Sequence, residues 1–396
     1  MATAPPLDGL RVLDLTNHLS GPYCAMILGD LGADVIKIER PGAGDDVRAT
    51  SPRVGGESAA FMIWNRNKRS VTLDLKHPEG LALALRLVER ADVLLENFRP
   101  GVADRLGLGY RAASARNPRL VYCSISGFGQ TGPYRDRGGF DRIAQGMSGL
   151  MSINGEEDGP PLPVAVPVSD LGAGMFAAIG VLAALRARDA TGRGQHVDTS
   201  LLETPIAWSV YEASSYFATG EVPSRLGQGH RTQAPYGAHR TKDGWLNIGG
   251  GAPVFWPRIC AVLGMPELEH DPRFKDPAAR VANRKALSAI IEERLSREPT
   301  DYWLERFERA GVPAGPIWTY DRVFADPHVL HREMVVEVEH PTAGRTRVLG
   351  IPIKLSLTPG RIRRAAPTLG QHTEEVLREL GLSASQIADL RARRIV

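Results

Sequence analysis

The chain has 396 residues, 23% charged and 43% hydrophobic, with 48 Lys and Arg against 45 Asp and Glu for a net charge of +3. That length accommodates two domains or one elaborated domain. The near-neutral balance supplies no global field for nucleic acid or an anionic membrane, so neither is an expected partner. Three cysteines, Cys24, Cys123 and Cys260, stand far apart without CxxC or CxH spacing. They predict reduced thiols in a cytoplasmic protein rather than a disulfide framework. The opening MATAPPLDGL has neither the basic nor the apolar segment of a secretory signal.

In chain order, RVLDL (11–15) and DVIKIE (34–39) read as buried strands around a helical stretch at 23–31, with Gly21-Pro22 before it and Gly32 after it. This is a βαβ unit with parallel strands. Glu39 ends the second strand, where a dinucleotide fold holds a ribose. The chain after the first strand reads TNHLSGP instead of a glycine-rich turn, which argues against a nicotinamide or flavin site. Strands at 70–76, 91–98 and 119–128 follow, with a helix starting at Pro78-Glu79. The predicted class is α/β, with an open Rossmann-like parallel sheet covered on both faces. GFGQTG (127–132) matches GxGxxG, but no helical stripe follows it, so it is predicted as a loop in close backbone approach.

The segment 164–186 reads VAVPVSDLGAGMFAAIGVLAALR. After Asp170 come fifteen residues without a polar side chain, three of them glycine. That run is shorter than the ~20 residues a bilayer requires, which predicts a buried helix. An Asp at the first position of such a helix has two readings. It caps the free N–H groups and faces the positive end of the dipole, or it is a carboxylate kept ionised there as a nucleophile. Asp141, in GGFD, caps the helix that follows it or lines a cleft near Asp170. Beyond a further strand and helix, the composition shifts near Glu221. Residues 1–224 are predicted as the large domain and 225–325 as a smaller α+β domain, with 326–396 returning to the large one.

Arg40, Lys76, Arg99 and Arg105 each follow a strand or its loop, where an open α/β sheet places an anionic ligand. Together with the Gly-rich loops they suggest phosphate binding. His328 and His331 are three apart but have no accompanying ligand cluster, so no metal site is predicted.

The blocks LDLT, GPYCAMILGDLGADVIKIERPGAGDD, NRNKRSVTLDLK, ADVLLENFRPGVADRLGLGY, SISGFGQTGPY and VPVSDLGAGM resemble the class III coenzyme A transferases across nearly the whole chain. The resemblance implies an interlocked homodimer of chains with a large Rossmann-like and a small domain. It implies Asp170 as a nucleophile that forms an aspartyl anhydride and then an aspartyl-CoA thioester, with CoA and acyl-CoA as substrates and no permanently bound cofactor. Carried residue by residue, it implies CoA contacts at Leu19, Ser20, Arg40, Leu73, Asp74, Leu75, Lys76, Asn97, Phe98, Arg99 and Arg105. Substrate contacts are implied at Phe140 and Asp141 and at the glycine loop Gly249, Gly250 and Gly251. The family also contains formyl-CoA:oxalate-type transferases and 2-methylacyl-CoA racemases. Racemases use a His in a GHD segment where this chain has Phe140, and so would lack one of two bases here. PGAGDD, FADPHVLH and LGQHT are similar to the transferases that move CoA from succinyl-CoA to dicarboxylates.

Overall fold

A computed structural model describes residues 4–396. The chain divides into a larger unit, containing the residues through Leu150 with Pro163–Phe217 and Pro327–Val396, and a smaller one of Met151–Leu162 and Ala218–Asp326. The smaller unit therefore takes a segment that the sequence left in the large domain. Gly155 O accepts from Gly227 N–H (3.1 Å), which ties that segment to the chain beyond residue 218.

The larger unit is built on six parallel strands: β1 (Arg11–Asp14), β2 (Asp34–Glu39), β3 (Lys68–Thr72), β4 (Val93–Glu96), β5 (Val121–Ser126) and β6 (His196–Ser200). Their order is β3-β2-β1-β4-β5-β6, and every pairing is parallel. This doubly wound order reverses direction between β1 and β4, where such sheets bind ligands. Alternate residues feed two cores. Leu13, Ile36, Leu94 and Tyr122 pack with α2 (Pro78–Val88), through Leu83 and Leu87, and with the C-terminal helices. Val12, Val35, Val93 and Cys123 face α1 (Ser20–Asp30), through Cys24 and Leu28, and α4 (Val168–Thr191), through Ala177 and Val181. Between these, α3 (Asp141–Met147) precedes α4, and α5 (Glu203–Trp208) follows it.

Two boundaries differ from the sequence reading. Helix α1 starts at Ser20, so Gly21 and Pro22 lie in its first turn, where a proline lacks no needed N–H. Strand β3 starts at Lys68 and ends at Thr72. Lys68 and Arg69 conceal a buried strand because carboxylates neutralise them: Lys68 meets Asp14 (2.9 Å) and Arg69 meets Asp34 (2.5 Å).

Helix α4 runs well past the apolar stretch, and by length and composition it is long enough to cross a membrane. Half of its most apolar window is buried against the protein, and near its C-terminal end Arg188 pairs with Asp92 (2.9 Å). Close approach explains its glycines. A Cβ on Gly174 would sit 2.5 Å from Ser20 O, and one on Gly172 would sit 2.3 Å from Thr204. These residues pack α4 on α1 and α5.

The smaller unit has an antiparallel sheet of β7 (Gly237–Arg240), β8 (Trp245–Ile248) and β9 (Ala314–Pro316), in the order β9-β8-β7. Its own core includes Leu246, Ile259, Ile291 and Phe307.

Beneath the exit of β1 lies a buried charge network. Lys68 Nζ donates to Asp14 Oδ2, Asn65 Oδ1 and Pro22 O, each at 2.9 Å. Lys37 Nζ donates to Thr16 O (2.6 Å) and lies 3.0 Å from Asp45 Oδ2. Burial alone would raise the Asp14 carboxyl, but Lys68 and Lys37 outweigh it and hold it below the ordinary carboxylate range. Replacing Lys68 by Met strips Asp14 of its ion-pair partner and leaves only Lys37 and the Thr16 hydrogen bonds to offset its burial, so a loss of about 3–5 kcal/mol is expected from urea denaturation midpoints. The double variant Lys68→Met/Asp14→Leu should recover part of it. A single-variant loss below about 1 kcal/mol would show that the network is not needed.

Candidate active site

Beyond the C-terminal ends of β1, β2, β3 and β4 the larger unit encloses a cavity of about 970 Å³, at the upper end of the ~300–1,000 Å³ usual for ligand clefts. Arg40, Leu73, Asp74, Leu75, Lys76 and Phe98 line it, bringing together six of the residues implied for CoA contact. Thr72 ends β3, so the 73–76 segment leaves the sheet at the rim, with the N–H groups of Leu73, Asp74 and Lys76 bonded to Glu39 O (2.9 Å), Ile395 O (2.8 Å) and Asp74 Oδ1 (2.9 Å). Asn97 stands one step back and exchanges two hydrogen bonds with the main chain of Asn17 (2.8 and 2.7 Å). Arg99 and Arg105 do not line this cavity. Arg99 borders a much smaller one beside Glu96 and His196, and Arg105 turns toward Gly101. The cavity wall also includes Arg391, Arg394 and Val396, which lie far away in sequence.

The loop leaving β1 links this cavity to the acidic residues. Asn17 lines the cavity. His18 N–H donates to Asp45 Oδ1 (3.1 Å), and Trp64 Nε1 donates to His18 O (2.8 Å). These bonds hold His18 at a φ of 64°, a left-handed conformation that side chains seldom adopt. Its ring meets Phe140 edge-on with centroids 6.4 Å apart. Leu19 and the buried Ser20 begin α1 immediately afterwards. They abut α4 through the close approach at Gly174, one turn after Asp170.

Asp141 does not cap its own helix, since Phe140 occupies the cap position. It reaches forward instead: Asp141 Oδ1 accepts from Ser169 N–H (2.9 Å), and Oδ2 accepts from Gln145 Nε2 (2.7 Å). The main chain of Val164 closes this clamp on the Gln145 amide (2.9 and 3.2 Å). Asp141 thus occupies the anion site at the start of α4 from another helix, where unpaired N–H groups and the dipole favour a carboxylate.

Asp170 is the third residue of α4 rather than the first, and the helix has no side-chain cap. Its carboxylate makes no hydrogen bond or ion pair among the described residues. Burial, together with the Asp141 charge, pushes its pKa from 3.8 up to about 7. The expected stabilisation of the ionised form by the helix start is therefore outweighed, because desolvation favours the neutral acid and a second carboxylate already occupies the anion site. Neutral solution leaves a mixture of protonated and ionised Asp170.

A polar chain in the sheet had no counterpart in the sequence reading. Ser124 Oγ lies 2.9 Å from His196 Nε2, and Glu96 Oε2 accepts from Phe98 N–H (2.9 Å). Burial pushes the Glu96 carboxyl up to about 7. The available signal was a Glu, a Ser and a His in adjacent strands at positions otherwise apolar. The glycine loop lies in the smaller unit: a Cβ on Gly250 would meet Ile259 at 2.2 Å and one on Gly251 would meet Gln233 at 2.1 Å. Gly249 N–H is occupied by Pro313 O (2.7 Å), so it is not free to contact a substrate. Local packing thus accounts for these glycines. The GxGxxG segment at 127–132 is likewise a packing loop, with a Cβ on Gly127 only 2.6 Å from Gly139 Cα.

The family model for CoA-transferase family III matches residues 7–373. The chain is 42% identical to human succinyl-CoA:glutarate CoA-transferase, covering 96% of this chain and 87% of that one. It is 39% identical to succinyl-CoA–D-citramalate CoA-transferase of Chloroflexus aurantiacus, covering 99% and 98%. A crystal structure of a CAIB/BAIF family protein from Brucella suis superposes with a TM-score of 0.87 at 40% identity, covering 96% of this chain and all of that one. The chain belongs to CoA-transferase family III, and it is an enzyme that transfers CoA.

The raised Asp170 pKa has a stability consequence. A carboxyl whose folded pKa exceeds its unfolded value contributes fully only below about pH 4, and its ionisation costs stability as pH rises toward 7. Asp170→Asn is therefore expected to be more stable than the parent at pH 8, by at most about 4 kcal/mol, with the gap closing toward pH 4. Denaturation midpoints at both pH values check this. A variant less stable at pH 8 would contradict the origin assigned to the shift.

Proposed function

We propose that this enzyme moves CoA from succinyl-CoA or a similar short acyl-CoA to a free dicarboxylic acid through covalent intermediates on Asp170. The observation that carries the reading is the Asp170 carboxylate itself: partly buried, free of hydrogen bonds among the described residues, and at the start of a helix packed against the residues that follow the cavity loop. The dicarboxylate acceptor follows from relatives that are themselves named for succinyl-CoA and glutarate or citramalate.

In the proposed sequence, an Asp170 oxygen attacks the thioester carbonyl, and collapse of the adduct expels CoA thiolate to leave an acyl-aspartyl anhydride. The thiolate then attacks the aspartyl carbonyl and releases the donor acid, giving an aspartyl-CoA thioester. The acceptor carboxylate attacks that carbonyl, and CoA thiolate departs from the new anhydride. A final attack by the thiolate on the acceptor acyl carbon forms the product thioester and restores Asp170. Each bond broken is replaced by one of similar energy, so covalent catalysis divides the exchange into tractable steps. Arg40 and Lys76 hold the CoA phosphates in this reading, and the wall at 73–75 and Phe98 lies against the nucleotide.

Incubation with succinyl-CoA alone is expected to add a CoA-sized mass to the peptide containing Asp170, and Asp170→Ala should lose at least about 10³-fold in kcat. An intact rate in that variant would refute the scheme. Because the nucleophile must be ionised, kcat/KM should rise with pH to a plateau with an apparent pKa near 7. Asp141→Asn, which removes the neighbouring negative charge, should move that limb to lower pH. A profile flat from about pH 6 to 8 in the parent would count against Asp170 as the titrating group.

We further propose a homodimer, interlocked as in the family. Ile143, Ile179, Trp208, Val210 and Tyr211 of the larger unit are exposed, large apolar side chains of the kind a subunit interface covers. Light scattering is expected to give twice the chain mass, and a monomer mass would exclude the arrangement. The free, buried state of all three cysteines supports a reducing, cytoplasmic setting.

A further inference from the structure

The cavity that lies beyond the first four strands carries four cations on its wall, and they are not equivalent. Arg40 is committed to Gly44 O (3.3 and 3.1 Å) and to Asp46. Arg391 is paired with Glu374 (3.2 Å). The side chains of Lys76 and Arg394 have no carboxylate or hydrogen-bond partner among the described residues, although both line the cavity.

Arg394 is also conformationally unusual. Its φ is +57°, a left-handed backbone that glycine adopts without cost and that an arginine adopts only when its surroundings enforce it. Three main-chain bonds do so. Arg394 N–H donates to Arg391 O (2.9 Å), Ile395 N–H donates to Leu390 O (2.9 Å), and Ile395 O accepts from Asp74 N–H (2.8 Å). Ile395 is buried in the sheet core. The bond from Asp74 fastens the segment bearing Arg394 to the turn that bears Lys76, so one backbone junction presents both unpartnered cations.

We propose that Arg394, acting with Lys76, binds the 3′-phosphate of the CoA nucleotide and discriminates CoA thioesters from their 3′-dephospho counterparts. The inference rests on the cavity being the CoA site. A phosphate monoester carries close to two negative charges with several acceptor oxygens. A guanidinium offers a planar bidentate fork and an ammonium a compact point charge, which together suit one such group. Two cations without carboxylate partners, on segments joined at one junction and lining one cavity, suit a dianion bound between them.

The decisive variant is Arg394→Gly, because it removes the cation and relieves the left-handed strain, so the fold should be no less stable than the parent. With succinyl-CoA, KM is expected to rise about 10- to 100-fold with kcat unchanged. With 3′-dephospho-succinyl-CoA, for which the parent enzyme should already show the higher KM, the variant is expected to differ from the parent by no more than about twofold. Arg394→Lys should restore part of the loss. An unchanged KM for succinyl-CoA in Arg394→Gly, while Lys76→Ala and Arg40→Ala both raise it, would overturn this assignment and leave the cavity as the CoA site. An equal loss on both donors would overturn the 3′-phosphate assignment, placing Arg394 on another part of the nucleotide. Unchanged KM values in all three variants would remove the cavity reading and this inference together.

Discussion

The buried network of Asp14, Lys68, Lys37 and Asp45 is the constraint on which the rest of the larger unit depends. All four side chains are fully excluded from water, so each charge must be met by another or by a polar main-chain group. Lys37 seizes the carbonyl of Thr16, and Lys68 seizes that of Pro22. The chain therefore leaves β1, turns through Asn17 and His18, and enters α1 between two fixed points. A hydrophobic replacement could fill the same volume with equal stability, but it could not direct that turn. The ionic solution specifies a path, and the cavity wall at Asn17 and the Phe140 contact at His18 both lie on it.

A second electrostatic arrangement sits at the start of α4. Two carboxylates compete for one favourable position, and Asp141 takes it by accepting the Ser169 N–H. Asp170 is left partly desolvated, without a hydrogen bond among the described residues and next to a like charge. A carboxylate in that condition is a better nucleophile than one satisfied by donors, because less solvation and fewer hydrogen bonds must be given up on attack. The same condition costs stability, as strained functional groups commonly do. Asp141 consequently has two effects: it secures the helix that carries Asp170, and it raises the energy of the ionised form of Asp170.

Much of this was legible in the sequence where the signal was local. The apolar runs at 11–15, 34–39, 91–98 and 119–128 mark four of the six strands, and Asp170 stands out against fifteen apolar residues. The start of β3 was hidden because Lys68 and Arg69 are interior only by virtue of carboxylates at Asp14 and Asp34, remote along the chain. Asp141 could be placed near a helix start, but the helix it serves is the next one, a tertiary fact. Arg394 gave no signal at all, since its proximity to Lys76 depends on the last residues folding back onto β3. Glu96, Ser124 and His196 were individually visible as polar residues in strands, while their alignment required the order of β4, β5 and β6.

The bond between Asp74 N–H and Ile395 O joins the third strand's exit to a segment remote along the chain. Ile395 is buried in the sheet core, so this closure is anchored by packing as well as by the hydrogen bond. The wall formed by Arg391 and Arg394 and the turn at 73–76 thus hold each other in place, and neither segment alone defines the cavity between them. A contact of such long sequence separation forms only at a large entropic cost of loop closure. The cavity is therefore a product of the completed tertiary fold, whereas the strands beneath it are specified by their own local patterns.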